Sequence, residues 1–308
     1  ELRVFVQQEY FQMKKVMAKM SLPSREKSKK VLIIDLKENS TEVRAFPDLY
    51  KYIGGMALGL KLYSLYQDED PVVLSVGPLN GFYPFASKTS IVLQTGGVAE
   101  DLYIGGSLSY RIKFCGVDSI VIKRGALEPT FLDINDTNVD FMVKNADLNL
   151  LGLPGKRSIF AFSDMSQILS KLTLDGCFVT PENYLENKFL AKNLLGLVIS
   201  GHTNFDIYNK PKYEEIYKKL LDSTDKLEVT KELYPSCSGC PMGCSKSRVG
   251  ELGGNILVHS LCACTYAQQI YSDVGTVFSC LHTLGYDYSH EDIENLPNLV
   301  NAVLKEIS

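Results

Sequence analysis

From Val31 onward the chain falls into short apolar runs rich in β-branched and aromatic residues, each closed by turn-forming polar residues. VLIIDL (31–36) and EVRAF (42–46), on either side of KENST, predict a β-hairpin. VVLSV (72–76), TSIVLQ (89–94), SIVIK (119–123), PTFLDI (129–134), VDFMV (139–143), SIFAF (158–162) and LGLVIS (195–200) predict further strands. Between them KYIGGMALGLKLYSLY carries apolar residues at helical spacing behind a Gly-Gly start. Strands with only an occasional helix predict an α+β fold in which residues 31–209 form a base of two mainly antiparallel sheets.

After Asn209 the pattern turns helical. KPKYEEIYKKLLDSTDKLE has a helical period, and LVHSLCACTYAQQIYSDVGTVFSCLHTLG is a long apolar, weakly amphipathic stretch whose one strong breaker is Gly275. NLPNLVNAVLKEIS predicts a last helix, so residues 210–308 read as a smaller all-helical domain. Residues 1–30, basic and helix-prone, read as a peripheral leader, in which a helix carrying Val4, Phe5, Tyr10, Phe11 and Met13 could lie on a surface.

Composition narrows the function classes. A net charge of −4 over 308 residues gives no electrostatic reason to expect nucleic acid or an anionic membrane as partner. No apolar run approaches a membrane span, and the expectation is a cytoplasmic protein. Eight cysteines in a chain of this size, without an export signal, point to free thiols and metal ligands rather than disulfides. Cys115 and Cys177 stand alone among apolar residues and read as small buried hydrophobes.

Chemistry concentrates in CSGCPMGCSKS (237–247). The spacing C-x2-C-x3-C lets Cys237, Cys240 and Cys244 converge on one face of a tight loop, with Gly239, Pro241 and Gly243 favouring the turns this needs. Three thiolates require a fourth ligand, for a tetrahedral zinc or for a cubane iron–sulfur cluster. Zinc sites more often show two matched C-x2-C pairs, and no second pair exists here, so the spacing favours iron–sulfur over zinc or no metal. Cys262, Cys264 and Cys280 are the fourth-ligand candidates; each taken singly reads as a core thiol, and on a helix Cys262 and Cys264 would point apart.

Taken together, the blocks VLIIDLKENSTEVRAF, YIGGMALGLKLY, VVLSVGPLNGFYPFASKTSIVLQT, IGGSLSYRIKFCGVDSIVIKRGALEPTFLDI, CSGCPMGCSKS, GELGGNILVHS and CLHTLGYD resemble, in order and spacing, the aldehyde:ferredoxin oxidoreductase family. These are tungsten-pterin enzymes with a neighbouring [4Fe-4S] cluster. The resemblance implies a two-sheet base on which the pterin lies, then helices carrying the cluster, with electrons passed to ferredoxin. It implies cofactor-binding roles for Lys88, Gly105, Gly106 and Gly285, and cluster ligation by Cys237, Cys240 and Cys244.

Departures from the family pattern fall at the cofactor and the chemistry. Lys88 stands where the family has a phosphate-binding Arg, Tyr103 where it has an Asn before the Gly-Gly turn, and Met56 where it has another Arg. Residues 175–193 offer no counterpart to the family's glycine-rich pterin loop. The general base falls on Val258, leaving His259 as the weak catalytic candidate, and a pterin-contacting carboxylate is replaced at His282. The family's last domain, with its fourth cluster cysteine, has no match in this sequence. The expectation is therefore a truncated or degenerate relative with an electron-relay or scaffolding role, working with a redox subunit or a full-length family partner. The alternatives are an active tungsten- or molybdenum-pterin aldehyde oxidoreductase completed by another chain, or a zinc-binding or metal-free structural module.

Overall fold

A computed structural model describes residues 26–143, 147–153, 155–163, 171–227 and 229–307. The surface helix expected near the N-terminus lies outside the described residues. The chain runs through β1 (Lys29–Asp35), β2 (Ser40–Phe46), α1 (Gly55–Tyr66), β3 (Val72–Ser75), β4 (Thr89–Thr95), β5 (Val98–Ile104), α2 (Leu108–Phe114) and β6 (Ser119–Lys123). It continues through β7 (Thr130–Asn135), β8 (Asn138–Val143), β9 (Arg157–Phe162), β10 (Leu172–Leu174), β11 (Phe178–Val179), α3 (Tyr184–Ala191) and β12 (Leu194–Ser200). Then come α4 (Lys210–Asp222), α5 (Ser245–Val249), β13 (Glu251–Leu252), α6 (Ile256–Ser260), α7 (Gln268–Tyr271), α8 (Val274–Thr283), α9 (His290–Glu294) and α10 (Leu296–Glu306).

Two sheets form, as expected. The first has the order β13-β5-β4-β3-β6-β1-β2 and the second β11-β10-β9-β12-β7-β8. The predicted hairpin is β1–β2, antiparallel with Val31 opposite Arg44. Each sheet holds one parallel pair, β1 with β6 and β7 with β12, so both are mixed. The central strands β1, β3 and β6 of the first sheet are buried on both faces, while the edge strand β2 is exposed. In β1, Leu32 and Ile34 enter a core shared with the second sheet, whereas Val31 and Ile33 enter one shared with α1 and the later helices.

The segment from Lys210 is helical except for β13, which adds to the edge of the first sheet beside β5. Its helices pack on α1, where Lys61 Nζ meets Glu306 Oε2 at 2.5 Å, and on the loop after β3, where Tyr83 and Thr283 share a 2.6 Å hydrogen bond. The apolar stretch read as nearly continuous is instead broken at Cys262, whose φ of +52° ends α6, so Cys262 and Cys264 are not on a helix. Gly55 and Gly77 explain the break, because residues 257–263 pass directly against both backbones and leave no space for a Cβ. Among the described residues no helix is long and apolar enough to cross a membrane.

Candidate functional site

The cysteine run forms a loop docked on the turn between β5 and α2. Ser238 N donates to the Gly106 carbonyl at 3.1 Å, and Tyr110 Oη, from α2, donates to the Ser238 carbonyl at 2.9 Å. A Cβ on Gly105 would collide with Cys237 Sγ and stand 3.0 Å from the Ser247 carbonyl, so the Gly-Gly turn is what admits the loop. Gly239 and Gly243 have the positive φ values, +75° and +56°, that the expected turns demand. Cys237 and Cys244 are buried and Cys240 is half-buried.

Lys88 lies beneath this loop, almost fully buried. Its ammonium donates to the Lys246 carbonyl at 2.6 Å and faces Glu251 Oε2 at 3.7 Å, while Lys246 Nζ holds Glu251 Oε1 at 2.9 Å. Burial works against the charge on Lys88, but Cys237, Glu251, Cys264 and Cys244 outweigh it and hold its pKa above the usual lysine value. Glu251 answers in kind: burial opposes its charge, and Lys88 and Lys246 pull its carboxyl below the usual range. A reading of motifs alone does not single out Glu251, because its pairing with Lys88 spans the fold. The one local signal is an acid inside the glycine-rich block GELGG.

Among the described residues no three His, Cys, Asp or Glu side chains converge closely enough to hold a metal ion. A cubane makes a different demand, since four irons stand between its thiolates and space them apart. For such a group the donor set fits. Cys237, Cys240 and Cys244 sit in one loop beside two ammonium groups and a single carboxylate, and burial pushes the Cys240 thiol up to about 11. The fit to a pterin is poor: Lys88 faces the cysteines and Glu251, Tyr103 is completely buried, and residues 175–193 form a β-turn, β11 and α3, whose Leu185 and Phe189 fill the inter-sheet core.

The remaining sequence candidates separate. Cys262 is buried with its thiol toward the Ser75 carbonyl at 3.5 Å, and Cys280 is buried on α8. Cys264 approaches Glu251 Oε1 at 3.9 Å. Cys115 is buried as expected, whereas Cys177 is exposed, because it comes just after the Asp175–Gly176 turn between β10 and β11. Gly106 packs against Leu174 and Phe178. Gly285, with φ +84°, closes α8: its N–H donates to the His282 carbonyl and that of Tyr286 to the Leu281 carbonyl, both at 3.1 Å. His282 is spent on the Tyr288 carbonyl at 3.1 Å.

His259 is completely buried, its ring 4.0 Å from that of Tyr103 and its Nδ1 without a hydrogen-bond partner. Burial drives its pKa down to about 4, so it is neutral at pH 7. On the other side of Tyr103, Asp101 accepts from the Tyr103 hydroxyl and, at 2.9 Å, from Ser90 Oγ, and burial raises its pKa to about 7. These shifts have opposite linkage signs. Between roughly pH 4 and 6.5 the unfolded chain protonates His259 before the folded one does, so this group makes stability rise with pH. Between about pH 4 and about 7 the folded chain keeps the Asp101 proton that the unfolded chain releases, so this group makes stability fall with pH. The two slopes offset each other in the native protein. His259→Gln should therefore expose a fall in stability from pH 4.5 to 6.5, and Asp101→Asn a rise, read from urea midpoints across that range. Parallel profiles for both variants and the native chain would refute the pairing.

Similarity to known proteins runs through the same blocks. The family model "Aldehyde ferredoxin oxidoreductase, N-terminal domain" matches residues 31–154, which take in β1 to β8. Residues 31–154 belong to that domain family. Beyond it, the chain is 22% identical over 227 residues to a tungsten-containing aldehyde ferredoxin oxidoreductase of Pyrococcus horikoshii, covering 64% of this chain and 37% of that protein. It is 32% identical over 127 residues to an aliphatic sulfonate oxidoreductase, WOR-like subunit, of Pyrococcus furiosus, covering 36% of this chain and 20% of the relative. The chain thus spans well under half the length of these curated relatives. Among solved structures, the active site complex BamBC of benzoyl coenzyme A reductase shares the fold, with a TM-score of 0.55 at 16% identity over 67% of this chain and 36% of that one. The homology is to the N-terminal part of an oxidoreductase family.

Proposed function

We propose that this chain carries a [4Fe-4S] cluster on Cys237, Cys240 and Cys244 and relays electrons beside a redox partner, either ferredoxin or a full-length family subunit, in the cytoplasm. The observation that carries the reading is Lys88. A fully buried ammonium within reach of the run's three thiols is costly to bury unless it faces negative charge. Glu251 is shared with Lys246, so the fixed charges beside the loop are net positive, which offsets part of the burial that pushes the Cys240 thiol up to about 11. When bound, the cluster would supply one-electron transfer. The chain's part is to hold the loop on Gly105 and Gly106 and to keep positive charge beside the sulfurs, which favours the more negative oxidation state. The names of two relatives, one a subunit and one a complex, support an assembly with other chains.

Anaerobic purification with iron, acid-labile sulfide, tungsten, molybdenum and zinc determination tests the proposal. About four irons per chain with matching sulfide, and no tungsten or molybdenum, are expected. Stoichiometric tungsten or molybdenum would replace the relay by a pterin enzyme, and zinc alone would replace it by a structural module.

A further inference from the structure

The two edges of the first sheet differ in length. At one end β13 has two residues; at the other β2 has seven, and among the described residues β1 is its only neighbouring strand. An edge strand leaves a row of N–H and C=O groups unpaired, which is a template for another strand. Proteins blunt such edges by keeping them short, by inserting proline or a bulge, by covering them, or with charge. Strand β2 pairs with β1 from Ser40 to Phe46 without a register shift, contains no proline, and is exposed on both faces as far as Ala45. Charge is the one device left, and the two charges, Glu42 and Arg44, have opposite sign. We infer that β2 is a self-association edge, pairing antiparallel with β2 of a second copy about a two-fold axis at Val43.

The strand is its own complement. Antiparallel strands related by a two-fold axis normal to the sheet keep like faces together, so the axis passes between two copies of one residue. Val43 is the middle of the seven residues, and an axis there pairs the whole strand. It sets Ser40 opposite Phe46, Thr41 opposite Ala45 and Glu42 opposite Arg44, each of them twice. Glu42 and Arg44 share one face, so two ion pairs form across the new seam. On the other face Val43, 40% exposed in the single chain, meets its own copy. An axis at Glu42 or at Arg44 would instead bring two like charges face to face and leave one end of each strand unpaired. Strand length and charge therefore select the same register.

The single chain holds these charges ready. Arg44 Nη2 donates to both carboxylate oxygens of Glu42 at 2.8 Å, and the guanidinium stands 5.7 Å from the centre of the Phe46 ring. Both side chains are about half exposed, so exchanging this pair for the same pair across two chains costs little. The cysteine loop lies toward the opposite edge of the sheet, where β13 meets β5, and pairing through β2 leaves it open.

Sedimentation equilibrium of the full chain, from micromolar to submillimolar concentration, tests this edge. The native chain should show a reversible monomer–dimer equilibrium. Arg44→Glu alone and Glu42→Arg alone each set like charges opposite one another and should weaken dimerisation about tenfold or more. Mixing these two variants restores both ion pairs, so they should pair with each other about as readily as the native chain pairs with itself. The double variant Glu42→Arg with Arg44→Glu should dimerise like the native chain. Circular dichroism of every variant should match the native spectrum, because both positions are exposed. A native chain that stays monomeric throughout, a dimer indifferent to either single change, or a mixture of the two single variants that does not pair would each overturn the inference.

Discussion

Gly77→Ala should destabilise the protein severely, with a loss above about 4 kcal/mol or failure to fold. A Cβ at this position would fall on the Leu261 carbonyl and stand 2.8 Å from Leu261 Cα. Neither side can move away. Leu261 N–H donates to the Leu257 carbonyl at 3.1 Å and Ala263 N–H to the Val258 carbonyl at 3.0 Å, which fixes residues 257–263. Gly77 N–H is held by Asn80 Oδ1 at 2.5 Å, and its carbonyl accepts from Lys113 Nζ at 3.3 Å. The collision is between two backbones, so no side-chain rotation relieves it. Gly97→Ala supplies the comparison. Gly97, unlike Gly77, has a positive φ, +87°, but nothing lies within 4 Å of a Cβ there, so only conformational strain of about 1 kcal/mol is expected. Urea unfolding of the two variants measures the difference. Equal losses would mean that residues 257–263 do not dock on the end of β3.

The same seam shows what the sequence could and could not reveal. Hairpin β1–β2 was legible because two runs of strand-forming residues flank the turn KENST, and β12 because LGLVIS is an unbroken buried run. Strand β5 escaped because its first half reads VAED, with two carboxylates that discourage a strand; Ser90 and Tyr103 accommodate Asp101 there through hydrogen bonds. The stretch from Leu257 reads as nearly continuous helix because residues buried on every side lose the periodicity that would mark their breaks, and the turn at Cys262 arises from glycines two hundred residues earlier in the chain. At the site, the loop cysteines and the Gly-Gly turn were visible as motifs. Glu251 was not, since an ion pair between a strand-end lysine and an edge-strand glutamate is a property of the packed molecule rather than of either segment. Cys177 misled for the opposite reason: its apolar neighbours Phe178 and Val179 belong to β11, while the cysteine itself remains in the preceding turn.

Lys88→Met should cost about 3 kcal/mol at pH 7, the lower end of the range for breaking a buried ion pair, because Lys246 still holds one oxygen of Glu251. Methionine matches the stem of lysine, so packing changes little and the loss reports the charge. Glu251, whose side chain is 4% exposed, would keep its carboxylate beside a single cation, and the Lys246 carbonyl would lose its donor. The pH dependence carries the sign. In the native protein Glu251 has a depressed pKa, so its contribution is present above the unfolded value near 4.5 and fades as pH falls through the folded value. In the variant, burial is opposed by one cation fewer and the carboxyl takes up a proton more readily, which relieves the stranded charge. The gap in unfolding free energy between the native chain and Lys88→Met should therefore be widest near neutrality and narrow on acidification toward about pH 4. Glu251→Gln in the same background separates the pair from the packing. The double variant Lys88→Met with Glu251→Gln should recover more than half of the loss caused by Lys88→Met alone, giving a coupling of about 1.5 kcal/mol or more in a double-mutant cycle. Strict additivity of the two changes, with a gap that stays constant from pH 7 to 4, would show that Lys88 is held by its carbonyl contact and the thiols and not by Glu251.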